Sequence, residues 1–286
     1  MRPGFPSVTA TLVAFARGAA SSPGMGSPPF HDDHARALLP FPVGALVPRV
    51  GALGARVAQG FLRAASLGLV DHLAMRSHAI DAEIAEAIDA GAEQLVLLGA
   101  GLDARAHRLH AVRDVRVFEV DHPASQAYKR SRAAGLPVNA RDLVYVPQDF
   151  ATDTLEAALG GAGHDRARVT AWVCEGVTMY LAPAETRALL AAVRDLSAPG
   201  SRLALTYMES DKHPLPRPLR GLVDLPLRAF GEPFRGTWSR PEIAALAARE
   251  GFRALSDTSS LEWARRFEGR SAALLRSERL LVAERA

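Results

Sequence analysis

Residues 95–105 read Leu95-Val-Leu-Leu-Gly-Ala-Gly-Leu-Asp-Ala-Arg105, and Val117-Phe-Glu-Val-Asp121 follows after a short interval. The apolar run Leu95–Leu98 is typical of a strand that is buried on both faces of a parallel sheet. It leads directly into Gly99-Ala-Gly101, where the missing side chains let the backbone approach a ligand closely. A second strand over Val115–Val120 ends on Asp121. Together these segments predict a β-strand–helix–β-strand unit.

The spacing within this unit indicates a nucleoside. Asp103 can cap a helix over Ala104–Ala111, and Asp121 stands 22 positions after Gly99. An acid at that distance can accept hydrogen bonds from both ribose hydroxyls of an adenosine that lies over the glycine turn. The residues from Gly99 to Ala104 also satisfy the G-x-G-x-x-G/A pattern of dinucleotide-binding proteins, so an NAD-type cofactor remains an alternative. A tight strand–helix turn without any ligand is a third interpretation.

Two features favour S-adenosylmethionine over a dinucleotide. Leu102 and Asp103 crowd the position at the helix N-terminus where a pyrophosphate would lie, and a second anion beside Asp103 is disfavoured. S-adenosylmethionine instead carries a sulfonium and an ammonium group. An acidic turn lined by glycine therefore suits it better.

Four motifs then carry a resemblance to a known family. In chain order they are Gln94-Leu-Val-Leu-Leu-Gly-Ala-Gly-Leu-Asp-Ala-Arg-Ala-His-Arg-Leu109, Phe118-Glu-Val-Asp-His-Pro123, Gln148-Asp-Phe150 and Cys174-Glu-Gly-Val-Thr-Met-Tyr-Leu181. They resemble the leucine carboxyl methyltransferase family, and more closely its bacterial branch of S-adenosyl-L-methionine-dependent methyltransferases. The similarity runs in order from about Ser7 to the C-terminus.

The resemblance implies an S-adenosyl-L-methionine site and assigns its contacts. Arg76 matches the family arginine that binds the carboxylate of the methionine moiety, a contact that suits a guanidinium. Asp149 and Phe150 match the pair that holds the adenine. Ligands of open α/β sheets bind outside the carboxyl ends of the strands, so the acids there should converge on one crevice. The predicted cofactor-binding residues are Arg76, Gly99, Ala100, Gly101, Asp103, Asp121, Asp149, Phe150 and Glu175.

The expected fold is an α/β class I methyltransferase, with a Rossmann-like and mostly parallel sheet, one antiparallel closing strand and helices on both faces. We divide the chain into an N-terminal helical extension (residues 1–75) and a methyltransferase domain (residues 76–286). Residues 208–237 are rich in proline and glycine and show no clear periodicity. A connection of this length is often a functional lid, so we expect it to cover the substrate.

Methyl transfer from a sulfonium needs positioning more than acid–base chemistry. A carboxylate acceptor, with a pKa of about 4, is already ionised at neutral pH and needs no general base. Tyr180 and Tyr207 are the predicted catalytic residues, because they follow the fourth and fifth strands. Further candidates to hold the acceptor are Arg105, Lys212 and His213. The eukaryotic protein-methylating members have an arginine where this chain has Ala151, which favours a small-molecule acceptor.

Composition narrows the alternatives. The net charge is only +3 and aromatic residues make up 6% of the chain, so we expect no nucleic-acid partner. No apolar run reaches membrane-spanning length, and the single cysteine suits a reducing compartment, so we expect a cytoplasmic protein without a membrane partner. We expect no metal site. The rival functions are an NAD-dependent oxidoreductase, for which no Tyr-x-x-x-Lys pair is present, and a non-catalytic S-adenosylmethionine-binding protein.

Overall fold

The computed structural model describes residues 6–21, 30–47, 66, 68–149, 152–210, 235–267 and 276–286. Within these residues, seven strands form one sheet in the order β3-β2-β1-β4-β5-β7-β6. Neighbours among β1 to β5 pair in parallel, whereas β7 is antiparallel to both β5 and β6. The predicted α/β fold with one antiparallel closing strand is therefore confirmed. The strands are β1 (Gln94–Leu98), β2 (Arg116–Asp121), β3 (Asp142–Pro147), β4 (Thr170–Cys174), β5 (Arg202–Met208), β6 (Phe252–Ser259) and β7 (Glu278–Arg285).

The helices flank this sheet on both sides. They are α1 (Val8–Ala20), α2 (Ala35–Leu38), α3 (Val43–Leu46), α4 (Leu69–Asp89), α5 (Arg105–Arg108), α6 (Pro123–Ala133), α7 (Leu155–Gly161), α8 (Pro183–Asp195), α9 (Arg240–Arg249) and α10 (Ser260–Arg266). Helix α4 runs through the boundary that the sequence places between residues 75 and 76. None of the described helices combines the length and the apolar character that crossing a membrane requires. Of the predicted lid, residues 211–234 lie outside the described residues.

One local prediction was wrong, and one helix was missed. The helix expected over Ala104–Ala111 is the single turn α5, followed by a 3₁₀ turn, because Leu109 adopts an extended conformation (ψ 115°). Helix α10 was not predicted. Its start has a clear signal, since Ser259 and Glu262 form a capping box in which each side chain binds the backbone of the other.

Strand β1 is buried on both faces, as its apolar sequence predicts. Side chains alternate along a strand, so Val96 and Leu98 join the core cluster on one face of the sheet. Leu95 and Leu97 join the cluster on the other face. The strand registers align the carboxyl ends of three strands, because Leu98 pairs with Val120 of β2 and with Cys174 of β4. The residues that directly follow these strands therefore meet at one place.

A network of buried ion pairs fixes the segments at that edge. Arg105 is fully buried, and its Nε lies 2.7 Å from Asp81 Oδ1 on α4. Its Nη1 lies 2.5 Å from Asp103 Oδ2 and 2.7 Å from Glu175 Oε2. One guanidinium thus joins α4, the turn after β1 and the end of β4. Its removal would leave Asp103 without an ion-pair partner among the described residues, and Asp81 and Glu175 would each lose one of two arginine partners.

We predict that Arg105→Leu destabilises the protein by about 3–5 kcal/mol, the usual cost of breaking a buried ion pair from one side. The free energy of unfolding, measured by urea denaturation, checks this. Arg113→Leu is the matched control, because Arg113 pairs with Asp114 on the surface with both side chains more than half exposed. Its loss should cost less than about 1 kcal/mol. Equal effects of the two substitutions would contradict a structural role for Arg105.

Candidate ligand-binding and active site

A cavity of about 360 Å³ opens at the carboxyl edge of the parallel strands. Its volume falls in the range of small-molecule sites, roughly 300–1,000 Å³. The turn after β1 and the ends of β2 and β4 form its floor, and α1 forms the opposite wall. The predicted site residues that line it are Arg76, Gly99, Ala100, Gly101, Asp103, Asp121, Glu175 and Tyr180. The expected convergence of strand-end acids is thus found for Asp103, Asp121 and Glu175.

The glycine turn leaves its backbone open towards this cavity. Gly99 and Gly101 have φ angles of 65° and 50°. Residues other than glycine rarely adopt this left-handed backbone conformation. A Cβ on Gly99 would lie 2.7 Å from Val177 Cγ2, and one on Gly101 would lie 3.0 Å from Ala10 Cβ. Both conformation and space therefore require glycine. This cradle fits a cofactor that rests on the backbone of the turn.

Asp121 lies directly beside this turn. Its Oδ2 accepts a hydrogen bond from the Gly101 amide, and its Oδ1 accepts one from the His122 amide at 2.6 Å. Burial raises the pKa of Asp121, although these two backbone donors oppose the shift. A carboxylate has about four lone-pair sites, so each oxygen can accept one further hydrogen bond. Asp121 can therefore hold the turn in shape and still bind hydroxyl groups of a ligand.

Arg76 and Glu175 form the charged end of the cavity. Arg76 Nε donates to Glu175 Oε1 at 2.9 Å, and Nη1 donates to Glu278 Oε1 at 2.8 Å. Among the described residues none hydrogen-bonds Nη2, which lies on the side of Gly176. Burial alone would raise the pKa of Glu175, but Arg105 and Arg76 outweigh it and lower the pKa to about 2. Glu175 is therefore ionised at neutral pH.

Helix α1 forms a wall of the site that the sequence did not predict. Ser7 caps this helix, and Thr9, Ala10, Val13 and Arg17 line the cavity. Arg17 Nη2 donates to the Leu102 carbonyl at 2.5 Å, which ties the helix to the glycine turn. The amphipathic pattern of α1 indicates that one face is buried, but it does not tell what that face packs against.

The two predicted catalytic tyrosines differ in their placement. Tyr180 lines the cavity, and its hydroxyl lies 3.2 Å from Thr9 Oγ1 of α1. Tyr207 is fully buried in the core cluster on one face of the sheet, and its hydroxyl donates to Asp257 Oδ2 at 2.9 Å. It does not line the cavity. Its catalytic assignment is corrected for that reason: alternation along β5 directs its ring into the core.

The remaining candidates are placed as follows. Arg105 is fully buried, pairs with three carboxylates and is not among the described residues that line the cavity, so it is not placed to hold an acceptor. Asp149 is not among the described residues that line the cavity, and its carboxylate lies 4.0 Å from His122 Nε2. Phe150, Lys212 and His213 lie outside the described residues. No group of three or more metal-ligating side chains is found in the described part of the chain.

Comparisons with known proteins identify the family of this chain. The sequence profile of the leucine carboxyl methyltransferase family matches residues 10–194. A protein of Saccharopolyspora erythraea named "Putative S-adenosyl-L-methionine-dependent methyltransferase" is 35% identical over 192 residues, which are 66% of each chain. A protein of the same name from Mycobacterium tuberculosis H37Ra is 39% identical over 212 residues, 69% of this chain and 64% of that protein. The matched region thus spans slightly less than two thirds of the length of these relatives.

Solved structures show the same fold. A DUF574 family protein from Streptomyces avermitilis superposes with a TM-score of 0.66 at 15% identity, covering 98% of both chains. A structure from Thermobifida fusca YX, described as a "putative methyltransferase", has a TM-score of 0.61 at 17% identity, covering 99% of this chain and 96% of the other. At this identity the likeness concerns the fold alone. Since the family profile covers more than half of the residues, the chain belongs to the leucine carboxyl methyltransferase family.

Proposed function

We propose that this protein is an S-adenosyl-L-methionine-dependent methyltransferase that methylates an oxygen, preferably a carboxylate, of a small molecule. The observation that carries the proposal is the charge of the cavity. Its charged lining, among the described residues, consists of three carboxylates and two arginines: Asp103, Asp121, Glu175, Arg17 and Arg76. This set suits a ligand that carries both cationic groups and a carboxylate.

The methyl donor of this proposal has such a charge distribution. When bound, S-adenosylmethionine supplies an electrophilic methyl group on a sulfonium, beside an ammonium and a carboxylate. Glu175 and Asp103 would favour the cationic groups, and Arg76 would bind the carboxylate. Asp121 would accept hydrogen bonds from the ribose hydroxyls. Asp149 and Phe150 remain the adenine contacts that the family resemblance predicts.

An NAD-dependent oxidoreductase is less compatible with these residues. A dinucleotide places its pyrophosphate at the N-terminus of the helix after the glycine turn. Here that helix is the four-residue α5, and Asp103 lies two residues before its first residue, Arg105. A short helix provides little dipole for an anion, and Asp103 would repel one.

Calorimetry separates these functions. We expect the protein to bind S-adenosylmethionine and S-adenosylhomocysteine, and not NAD. Transfer of labelled methyl groups to a metabolite extract then distinguishes an enzyme from a non-catalytic binding protein. Binding of NAD without S-adenosylmethionine would refute the proposal, and binding without transfer would leave only the non-catalytic role.

We predict that Asp121→Ala weakens S-adenosylmethionine binding by about 30- to 1,000-fold. The loss of two hydrogen bonds to an ionised acceptor corresponds to roughly 2–4 kcal/mol. Calorimetric dissociation constants check this, with circular dichroism to establish folding. Asp142→Ala is the control. Asp142 is exposed at the start of β3, at the end of the strand that lies away from the cavity, and in the described structure it pairs only with the surface Arg141. An unchanged constant for a folded Asp121→Ala protein would refute the ribose contact.

We predict that Arg76→Lys weakens S-adenosylmethionine binding by about tenfold and leaves adenosine binding unchanged. Lysine keeps the positive charge between Glu175 and Glu278, but it loses the planar fork that a carboxylate requires. Adenosine has no amino-acid group, so it reports on the ribose and adenine contacts alone. If both ligands lose the same affinity, Arg76 supports the fold and does not bind the carboxylate.

The lining of the cavity also bears on the acceptor. No histidine is present among the described residues that line it, and the hydroxyl-bearing residues of this lining are Ser7, Thr9, Ser125 and Tyr180. A phenol or alcohol acceptor needs a base within about 3 Å. A carboxylate acceptor needs only hydrogen-bond donors, which these hydroxyls can provide. This supports a small carboxylic acid over a hydroxyl compound.

We therefore predict that the methylated product is an ester, which mild alkali hydrolyses to release labelled methanol. The rate should not rise with ionisation of the acceptor between pH 6 and 9, because a carboxylic acid with a pKa of about 4 is fully ionised there. Gas chromatography of the volatile label and a pH–rate profile check both points. A product stable to alkali would indicate an ether, and hence a hydroxyl acceptor.

A further inference from the structure

Glu278 contacts the candidate site from the far end of the chain. It is the first residue of β7, it is fully buried, and it lies outside the region that the family profile matches. Its Oε1 accepts from Arg76 Nη1 at 2.8 Å, and its Oε2 lies 2.6 Å from His72 Nε2. Both oxygens are thus engaged by residues of α4.

The two carboxylates around Arg76 determine where its guanidinium points. Glu175 binds Nε and Glu278 binds Nη1, so two of the three nitrogens are fixed. Because a guanidinium is planar, two fixed nitrogens also set the direction of the third. That third nitrogen, Nη2, is the one left for the cavity that Arg76 lines. With Glu175 alone, the group could turn about a single contact.

His72 in turn fixes Glu278. A carboxylate only accepts hydrogen bonds, so the proton of this contact belongs to His72 Nε2. The imidazole is fully buried and lies against the ring of Trp263, with 5.9 Å between centroids. Burial would raise the pKa of Glu278, but Arg76 and His72 outweigh it and hold the pKa below its usual value. Glu278 is therefore an ionised group with a defined orientation.

We propose that Glu278, oriented by His72, is a positioning residue that aims Arg76 Nη2 at the carboxylate of the amino-acid moiety of the methyl donor. This inference rests on the proposed function. It differs from a purely structural role in one respect: Glu278 acts on ligands that carry this carboxylate and has no effect on those that lack it.

The test compares the affinities for S-adenosylmethionine and adenosine in Glu278→Gln, a change that keeps the shape and removes the charge. We expect S-adenosylmethionine to bind about tenfold more weakly and adenosine to bind as in the wild type. In the Arg76→Lys background, the same replacement should change the ratio of the two affinities less than twofold, because the guanidinium that Glu278 orients is already absent. Glu284→Gln is the control, since Glu284 is on the same strand but pairs with Arg253 and Arg202 at the surface.

Each outcome decides the proposal. Equal losses for both ligands, or a tenfold loss that persists in the Arg76→Lys background, would overturn it. If Glu278→Gln does not fold, His72→Gln takes its place, and an unchanged ratio there also overturns it. A wild-type protein that binds no S-adenosylmethionine would refute the proposed function and this inference together. A wild type that binds it, with Glu278→Gln unchanged, would refute the positioning role alone.

Discussion

Glu175 accepts hydrogen bonds from two arginines at once, and the rest of the site depends on this arrangement. Its Oε1 binds Arg76 and its Oε2 binds Arg105. Burying charged groups costs free energy, which is recovered only when every charge has a close partner. The end of β4, the turn after β1 and helix α4 can therefore occupy only positions that bring these three side chains together. Such a constraint specifies the geometry of the site more than it adds stability.

The ion pairs continue from this centre towards both ends of the chain. On one side, Asp81 links Arg105 to Arg108, which lies 3.6 Å from Asp32, the partner of Arg17 on α1. On the other side, Arg76 leads to Glu278 on β7. Paired charges thus connect the cavity to α1 on one side and to β7 on the other.

The sequence predicted the sheet and the strand-end acids, because both depend on local patterns. An apolar run between turns predicts a buried strand, and topology alone carries Asp121 and Glu175 to a common edge. The sequence did not predict the partners of the arginines, because its pattern does not distinguish a charged residue in solvent from one that is buried against another charge. Tyr207 was misplaced for a related reason. One step along a strand reverses the side-chain direction, and the apolar sequence of β5 does not reveal which side holds the ligand.

The packing of α1 explains why the glycine turn and the N-terminal helix belong to one site. Ala10 faces Gly101 so closely that a Cβ on the glycine would lie 3.0 Å from the alanine methyl group. The helix is held there by Arg17 at the Leu102 carbonyl and by the contact between Thr9 and Tyr180. Small residues on both sides allow this approach. Arg17, Arg76 and Asp103, which line the cavity, are themselves buried. Buried charges interact strongly, so these side chains select a ligand by its charge as much as by its shape.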